Sequence, residues 1–433
     1  MSTILAMLLV AQWIAHVDAS CAISIPASAP VPVAAPGYAS RLVATGLNSP
    51  RGIIFDSAGH LLVVDRGVGV KSLTLNDKGG DCVGVATLKL IISDPSLNHG
   101  IALDPSGQTL YASSTNDVYS YPYVPNTGVA NTANRGHVVT NMTNDDHVTR
   151  TLLISRKVPG TLLVSRGSGA NIDPIASQKS SGHASLRRFN LLTRGSRTYN
   201  YPYDGALVAW GIRNEVGVDE HPVTGGIYGV ENSADNIQRD GKDIHDTNPA
   251  EKLNFFGYLN GTASRNTGGN FGYPVCFAAW DPSVIPNNQG IKPGVQFTTG
   301  TSSTAKDAAC RNNYIAPRLV FDAHQAPLDI KFNKAGSQAF VAFHGSYDRA
   351  ITKGYKVCTV EFNAAKGDPL MPSTTQNACK IIVNNKKTSA CNGSGNCFRP
   401  VGLAFDKKGR LYFSSDATGS IYIITKSDGS GVQ

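Results

Sequence analysis

One pattern of apolar and polar positions recurs along this chain. A short apolar run leads into a polar turn holding Asp and Gly, and a second run rich in β-branched and aromatic residues follows. The clearest copies span 50–65, 99–111 and 399–413, with turns at Asp56-Ser57-Ala58-Gly59, Asp104-Pro105-Ser106-Gly107 and Asp406-Lys407-Lys408-Gly409. Apolar flanks around such a turn are the signature of an antiparallel hairpin. Weaker copies start near Thr149, Trp210 and Pro327 and end in 162–165, 226–230 and 339–343. The six copies begin near residues 50, 99, 149, 210, 327 and 400. The first three are spaced by about fifty residues, the length of a four-stranded propeller blade. The pattern predicts an all-β fold, a six-bladed β-propeller with four-stranded antiparallel blades. A ring of seven or eight blades and an array of β-sandwiches are the alternatives. The long fourth interval, from 210 to 327, holds a Gly-, Asn- and Pro-rich run from Asp235 to Gln296, expected to be an inter-strand loop over one face. Radial repetition removes most exposed strand edges, so about 400 β-rich residues form one unit.

The first residues read as an address. Ile4 to Ile14 is apolar apart from Gln12, and His16-Val17-Asp18-Ala19 places small residues before a cleavage point. This gives an expected signal peptide over 1–19 and a mature propeller domain over 20–433. The apolar run is too short to span a membrane, and no later stretch approaches ~18 consecutive apolar residues. Export is also suggested by three glycosylation sequons, Asn141-Met142-Thr143, Asn260-Gly261-Thr262 and Asn392-Gly393-Ser394. The eight cysteines include no CxxC pair, which argues against a zinc or redox motif and for four disulfides in an oxidising compartment. Proximity favours Cys276–Cys310, Cys358–Cys379 and Cys391–Cys397, leaving Cys21–Cys82, although spacing does not fix connectivity. The net charge is +8, but only 16% of residues are charged and the basic ones are scattered. No nucleic-acid stripe results.

In a propeller, the loops leading into the innermost strands converge on the central channel. The residues just before or at each repeat are therefore the candidates for chemistry. They are Arg51, Asn98 and His99, Asp146 and His147, Arg213 and Asn214, His324, and Arg399, with His344 after the strand 339–343. A lone histidine is usually a hydrogen-bonded core residue, and Arg51 could simply cap the channel. Arg213-Asn214 stands where a strand would otherwise take apolar residues. Several cations and histidines aimed at one cavity suggest a polyanionic ligand and a proton acceptor.

These residues carry a resemblance. Trp210-Gly211-Ile212-Arg213-Asn214-Glu215-Val216-Gly217, then Glu231-Asn232-Ser233-Ala234-Asp235-Asn236-Ile237, then Gly268-Gly269-Asn270-Phe271-Gly272-Tyr273-Pro274 resemble ordered elements of the soluble quinoprotein glucose and sorbosone dehydrogenases. His344-Gly345-Ser346-Tyr347-Asp348-Arg349 and Phe398-Arg399-Pro400-Val401-Gly402 are similar to the fungal pyranose dehydrogenase branch. The likeness covers roughly residues 40 to 425. It implies pyrroloquinoline quinone (PQQ) over the channel with a calcium ion, and oxidation of a sugar at the anomeric carbon. His147 would be the general base, oriented by Asp146, with Arg213 also at the reacting centre. Arg51, Asn98, His99, Arg213, Asn214, His344 and Arg399 would contact the cofactor. Calcium would take backbone carbonyls of Ser233 and Ala234, in a segment that looks a few residues shorter than in the family. Cys397 stands where bacterial members have a second arginine, and His344 near the place of a lysine.

The resemblance further implies a monosaccharide substrate and an external electron acceptor, a lytic polysaccharide monooxygenase or a small quinone or phenol. A monomer is expected. Two other functions fit a six-bladed propeller. A calcium-dependent lactonase or esterase needs several carboxylate ligands in the channel, and here Arg and His outnumber them. A non-catalytic glycan- or protein-binding propeller would show exposed aromatics on loops and no polar cluster at the blade starts.

Overall fold

The computed structural model describes Cys21, Ile23 and residues 30–433 except 392–394. The expected signal peptide and the sequon at Asn392 lie outside the described residues. Six four-stranded antiparallel sheets form a six-bladed β-propeller. The innermost strands are Pro50–Phe55, Leu97–Leu103, Leu152–Ile154, Asn214–Glu220, Pro327–Phe332 and Pro400–Phe405, one per blade. They contact one another in that order around the axis and close from the sixth back to the first.

The apolar runs in the sequence follow from this geometry. Side chains alternate across a strand, and every blade is covered on both faces. In Leu61–Asp65 of blade 1, Leu61 and Val63 pack toward blade 6. Leu62 and Val64 pack toward blade 2. The same division holds around the ring, so each gap between neighbouring blades holds its own hydrophobic cluster. Where inner strands approach the axis, small residues are required. A Cβ on Gly100 would stand 2.1 Å from the Arg150 carbonyl oxygen, and one on Gly52 2.2 Å from that of His99.

Blade 6 takes its outer strand from the other end of the chain. Tyr38–Ala44 pairs antiparallel with Ser420–Lys426, so first and last strands close the ring. Three disulfides join the pairs that proximity favoured, and the fourth joins the remaining pair, Cys21–Cys82, across 61 residues.

Two local expectations change. The copy placed near Trp210 begins at Asn214, because Ala206–Trp210 is the outer strand of blade 3. The run from Asp235 to Gln296 is not one loop. It contains Glu251–Tyr258, the third strand of blade 4, which pairs with both Gly226–Asn232 and Leu319–Phe321. Its polar composition reflects Lys252 and Asn254, which are buried against Glu231 rather than exposed. The remainder folds as a small layer with its own core of Ile237, Ile244, Tyr273, Phe277 and Phe297. A helix, Thr304–Asn313, capped by Ser303 and tethered by Cys276–Cys310 and the buried Arg239–Asp307 pair, completes that layer.

Candidate functional site

The starts of the inner strands meet at one end of the propeller around a cavity of about 220 Å³. His147, Arg213, Asn214, Ser233, His324, His344 and Arg399 line it, all marked by the sequence, together with Asp235, Glu251 and Asp348. A separate axial cavity of about 270 Å³ runs below, walled largely by Ile53, Ile101, Leu153, Val218 and Leu403. Its wall also carries His99, Arg156, Asp219, Asp329 and Lys331, but Arg156 pairs with Asp219 and Lys331 with Asp329. The first cavity, which gathers most of the residues marked by the sequence, is therefore the candidate site.

His147 sits on the loop before the inner strand of blade 3. Its Nδ1 is 3.0 Å from both the carbonyl oxygen and the hydroxyl of Ser168. Donation from Nδ1 to that carbonyl fixes the tautomer and leaves Nε2 unprotonated. Asp146 is 3.8 Å from Nδ1 and half-exposed, so Ser168 holds the ring and Asp146 acts at longer range. Burial, reinforced by the Arg213 charge, pushes the imidazole down to about 4. The ring is therefore neutral at ordinary pH. The loop itself is clamped from beneath. Asn144 donates to the carbonyls of His147, Gly167 and Ser168, and the fully buried Arg150 donates to those of His147, Thr149 and Met142.

Arg213 follows the outer strand of blade 3, and its backbone N–H donates to buried Glu231. Its guanidinium donates to the carbonyl and side-chain oxygens of Asn171, to Asp235 at 2.9 Å, and at 3.3 Å to the Asn232 carbonyl. So Arg213 supplies positive charge from a fixed position. Arg399 donates through Nε and Nη2 to the carbonyls of His344 and Gly345 and stacks over Tyr355. Its Nη1 has no acceptor among the described residues.

Arg51 enters the site through a residue the sequence reading did not mark. Asp416, just after the second strand of blade 6, accepts from Arg51 at 2.6 Å and from His344 Nε2 at 2.7 Å. Burial opposes its charge, but His344 and Arg51 hold it well below the usual carboxylate range. His344, itself lowered by burial, serves as a neutral donor. Arg51 Nε is buried with no protein partner.

The remaining candidates divide. Asn98 donates to Thr115 Oγ1 and to the Val148 carbonyl, bracing the His147 loop from blade 2. His99 is buried facing the axial cavity, its Nδ1 unpartnered. Ser233 is tied by its N–H to Glu251 and by its hydroxyl to the Ala250 carbonyl, while Ala234 is fully buried in the added layer. Burial lifts Glu251 to about 7. Asp235, His324 and Asp348 bring one potential ligand atom each to within 4.8 Å of one another. Ser168, Asn171, Asp235, Glu251 and Asp416 are the functional neighbours missed in the sequence. Only Asp235 had a signal, its place in the Glu231–Ile237 motif.

The chain is matched over residues 32–427 by the family model described as TrAA12-like. It is 45% identical over 408 residues to a pyrroloquinoline quinone-dependent sugar dehydrogenase of Hypocrea jecorina, covering 93% of this chain and 91% of that protein. It is 38% identical to a pyrroloquinoline quinone-dependent pyranose dehydrogenase of Coprinopsis cinerea, covering 92% of this chain but 55% of that longer protein. A calcium structure of a Trichoderma reesei enzyme of carbohydrate-active family AA12 superposes with a TM-score of 0.90 at 46% identity, over 94% of this chain and all of that one. The propeller, the ordered motifs and these likenesses agree: this chain belongs to the TrAA12-like family.

Proposed function

We propose that this protein is a secreted, PQQ- and calcium-dependent pyranose dehydrogenase that oxidises the anomeric carbon of a sugar. The observation that carries the reading is His147, neutral and held by Ser168, beside a converging set of arginines. The names of the two curated relatives supply the cofactor and the substrate class.

The donor set fits the cofactor. PQQ is a planar tricarboxylate, and Arg399 Nη1 and the orphaned Arg51 Nε are hydrogen-bond donors with no protein acceptor. Arg213 adds charge, and Asn214 and His344 complete the proposed surround; Asn98 braces the His147 loop instead, and His99 faces the axial cavity. Charge balance favours a divalent ion. Arg213 already pairs with Asp235 and Arg51 with Asp416, so a trianion needs further positive charge. Calcium, a hard ion that takes oxygen ligands, would be held by the carbonyls of Ser233 and Ala234 with the Asp235 carboxylate alongside. When bound, the pair supplies a two-electron acceptor, the ortho-quinone, polarised by the metal.

The protein's own steps are simple. The cavity walls hold the sugar with its anomeric hydroxyl toward His147. Nε2 takes the hydroxyl proton as the C–H hydride leaves the same carbon, and the carbonyl forms. Ser168 and Asp146 stabilise the imidazolium produced. Electrons then pass to an external acceptor, a lytic polysaccharide monooxygenase or a small quinone or phenol. Four disulfides support an oxidising, extracellular setting. No described helix is long and apolar enough to cross a membrane.

The test is reconstitution. Purified protein titrated with PQQ and calcium is expected to change the visible spectrum and then to oxidise hexopyranoses with an artificial acceptor. Chelation before PQQ is added should abolish retention of the cofactor. Lactone hydrolysis without quinone would instead favour the calcium-dependent hydrolase.

A further inference from the structure

The loop between Gln338–Phe343 and Lys356–Asn363 of blade 5 is fastened at almost every residue. His344 and Gly345 N–H donate to the carbonyls of Ala326 and Gln325. Ser346 N–H donates to the Lys353 carbonyl, its hydroxyl accepts from Lys353 N–H, and its own carbonyl accepts from Tyr355 Oη. Asp348 accepts from the Asn236 N–H at 2.9 Å. Arg349 pairs with Asp322 at 2.7 Å and donates to the Ala323 carbonyl. Between these anchors stands Tyr347, which lines the cavity and is 95% exposed. A tyrosine usually buries most of its ring. Here neighbours on both sides are immobilised while the ring is left to solvent.

The cavity lining sharpens the contrast. Among the described residues that line it, Tyr347 is the only aromatic one apart from the histidines, and the rest of the wall is almost wholly charged or polar. Such a wall satisfies hydroxyls and carboxylates but offers nothing to the C–H face of a sugar ring. An aromatic face supplies that contact, and a pinned backbone presents it at low entropic cost.

Building on the proposed dehydrogenase reading, we propose that Tyr347 is the specificity-determining platform on which the apolar face of a pyranose stacks as it enters the site. The residue does not touch the reacting hydroxyl, so it acts on binding of the sugar rather than on the chemical step.

The experiment uses the full-length protein reconstituted with PQQ and calcium, in three forms: wild type, Tyr347→Ala and Tyr347→Phe. D-glucose, D-galactose and D-mannose are the probes. Tyr347→Ala should raise KM for the best of these sugars about tenfold while kcat stays within about twofold. The PQQ titration and the KM for the acceptor should be unchanged, and Tyr347→Phe should retain the wild-type KM. A second readout needs no cofactor. Saturation-transfer NMR on the quinone-free protein should show transfer to the ring C–H protons of the sugar, lost in Tyr347→Ala and kept in Tyr347→Phe. An unchanged sugar KM in Tyr347→Ala, or a shift confined to the acceptor KM or to PQQ affinity, overturns the proposal. If wild type fails to take up PQQ, the dehydrogenase reading falls, and the NMR comparison alone then decides whether Tyr347 holds a sugar.

Discussion

At the scale of single residues, the site works by holding groups in one protonation state. His147 is neutral because it is buried beside Arg213, and its tautomer is set by Ser168. A base with a pKa of about 4 is competent wherever it is unprotonated. The account therefore predicts that kcat of the reconstituted enzyme falls on the acid side near pH 4, with no step near the ordinary histidine value of 6.5. A pH–rate profile checks this. The same shift acts on stability. The unfolded chain takes up the proton near 6.5 and the folded one near 4, so stability is complete above 6.5 and declines as pH falls between these values, by up to ~3 kcal/mol. Sequence showed His147, Arg213 and Arg399 because each stands at a blade start. It did not show Ser168 or Asn171, which reach His147 and Arg213 across 21 and 42 residues from a loop with no strand pattern of its own. Nor did it show Asp416, which meets Arg51 only when the ring closes across 365 residues.

Individual strands were legible wherever both faces are buried, since continuous apolar runs between Asp/Gly turns then mark the second strand of a blade. Leu61–Asp65 and Leu411–Ser415 are of this kind. Glu251–Tyr258 was not, because Lys252 and Asn254 serve a buried polar network with Glu215 and Glu231, and buried Glu251 accepts from the Ser233 and Ala326 N–H groups. Charge in that stretch looked like solvent exposure. The inner strands carry their own constraint, close approach at glycine. Gly100→Ala would place a methyl group 2.1 Å from the Arg150 carbonyl and 2.6 Å from Ser113 Oγ, where a strand of blade 2 meets the base of the His147 loop. Overpacking of this kind costs about 1–3 kcal/mol. Denaturant unfolding should show a lower midpoint for Gly100→Ala, whereas Gly59→Ala, in an open turn, removes no packing contact and reports only the strain of its positive φ.

Across the whole molecule, function depends on closure. Tyr38–Ala44 completes blade 6, and only a closed ring brings Arg51 of blade 1 against Asp416 of blade 6 and His344 of blade 5. The sequence revealed the ring through six repeated hairpins, but the layer built from residues on both sides of Glu251–Tyr258 hid the fourth blade's outer strand and stretched the fourth interval. The central claim is that blade starts from around the ring build one quinone site with His147 as its base. The most direct measurement compares wild type and His147→Ala, both loaded with PQQ and calcium, in a single turnover with the best hexopyranose. The account predicts that the variant retains the cofactor with its spectrum unchanged while the rate of cofactor reduction drops about 10²–10⁴-fold. Reduction at the wild-type rate in His147→Ala, with cofactor bound, would contradict it.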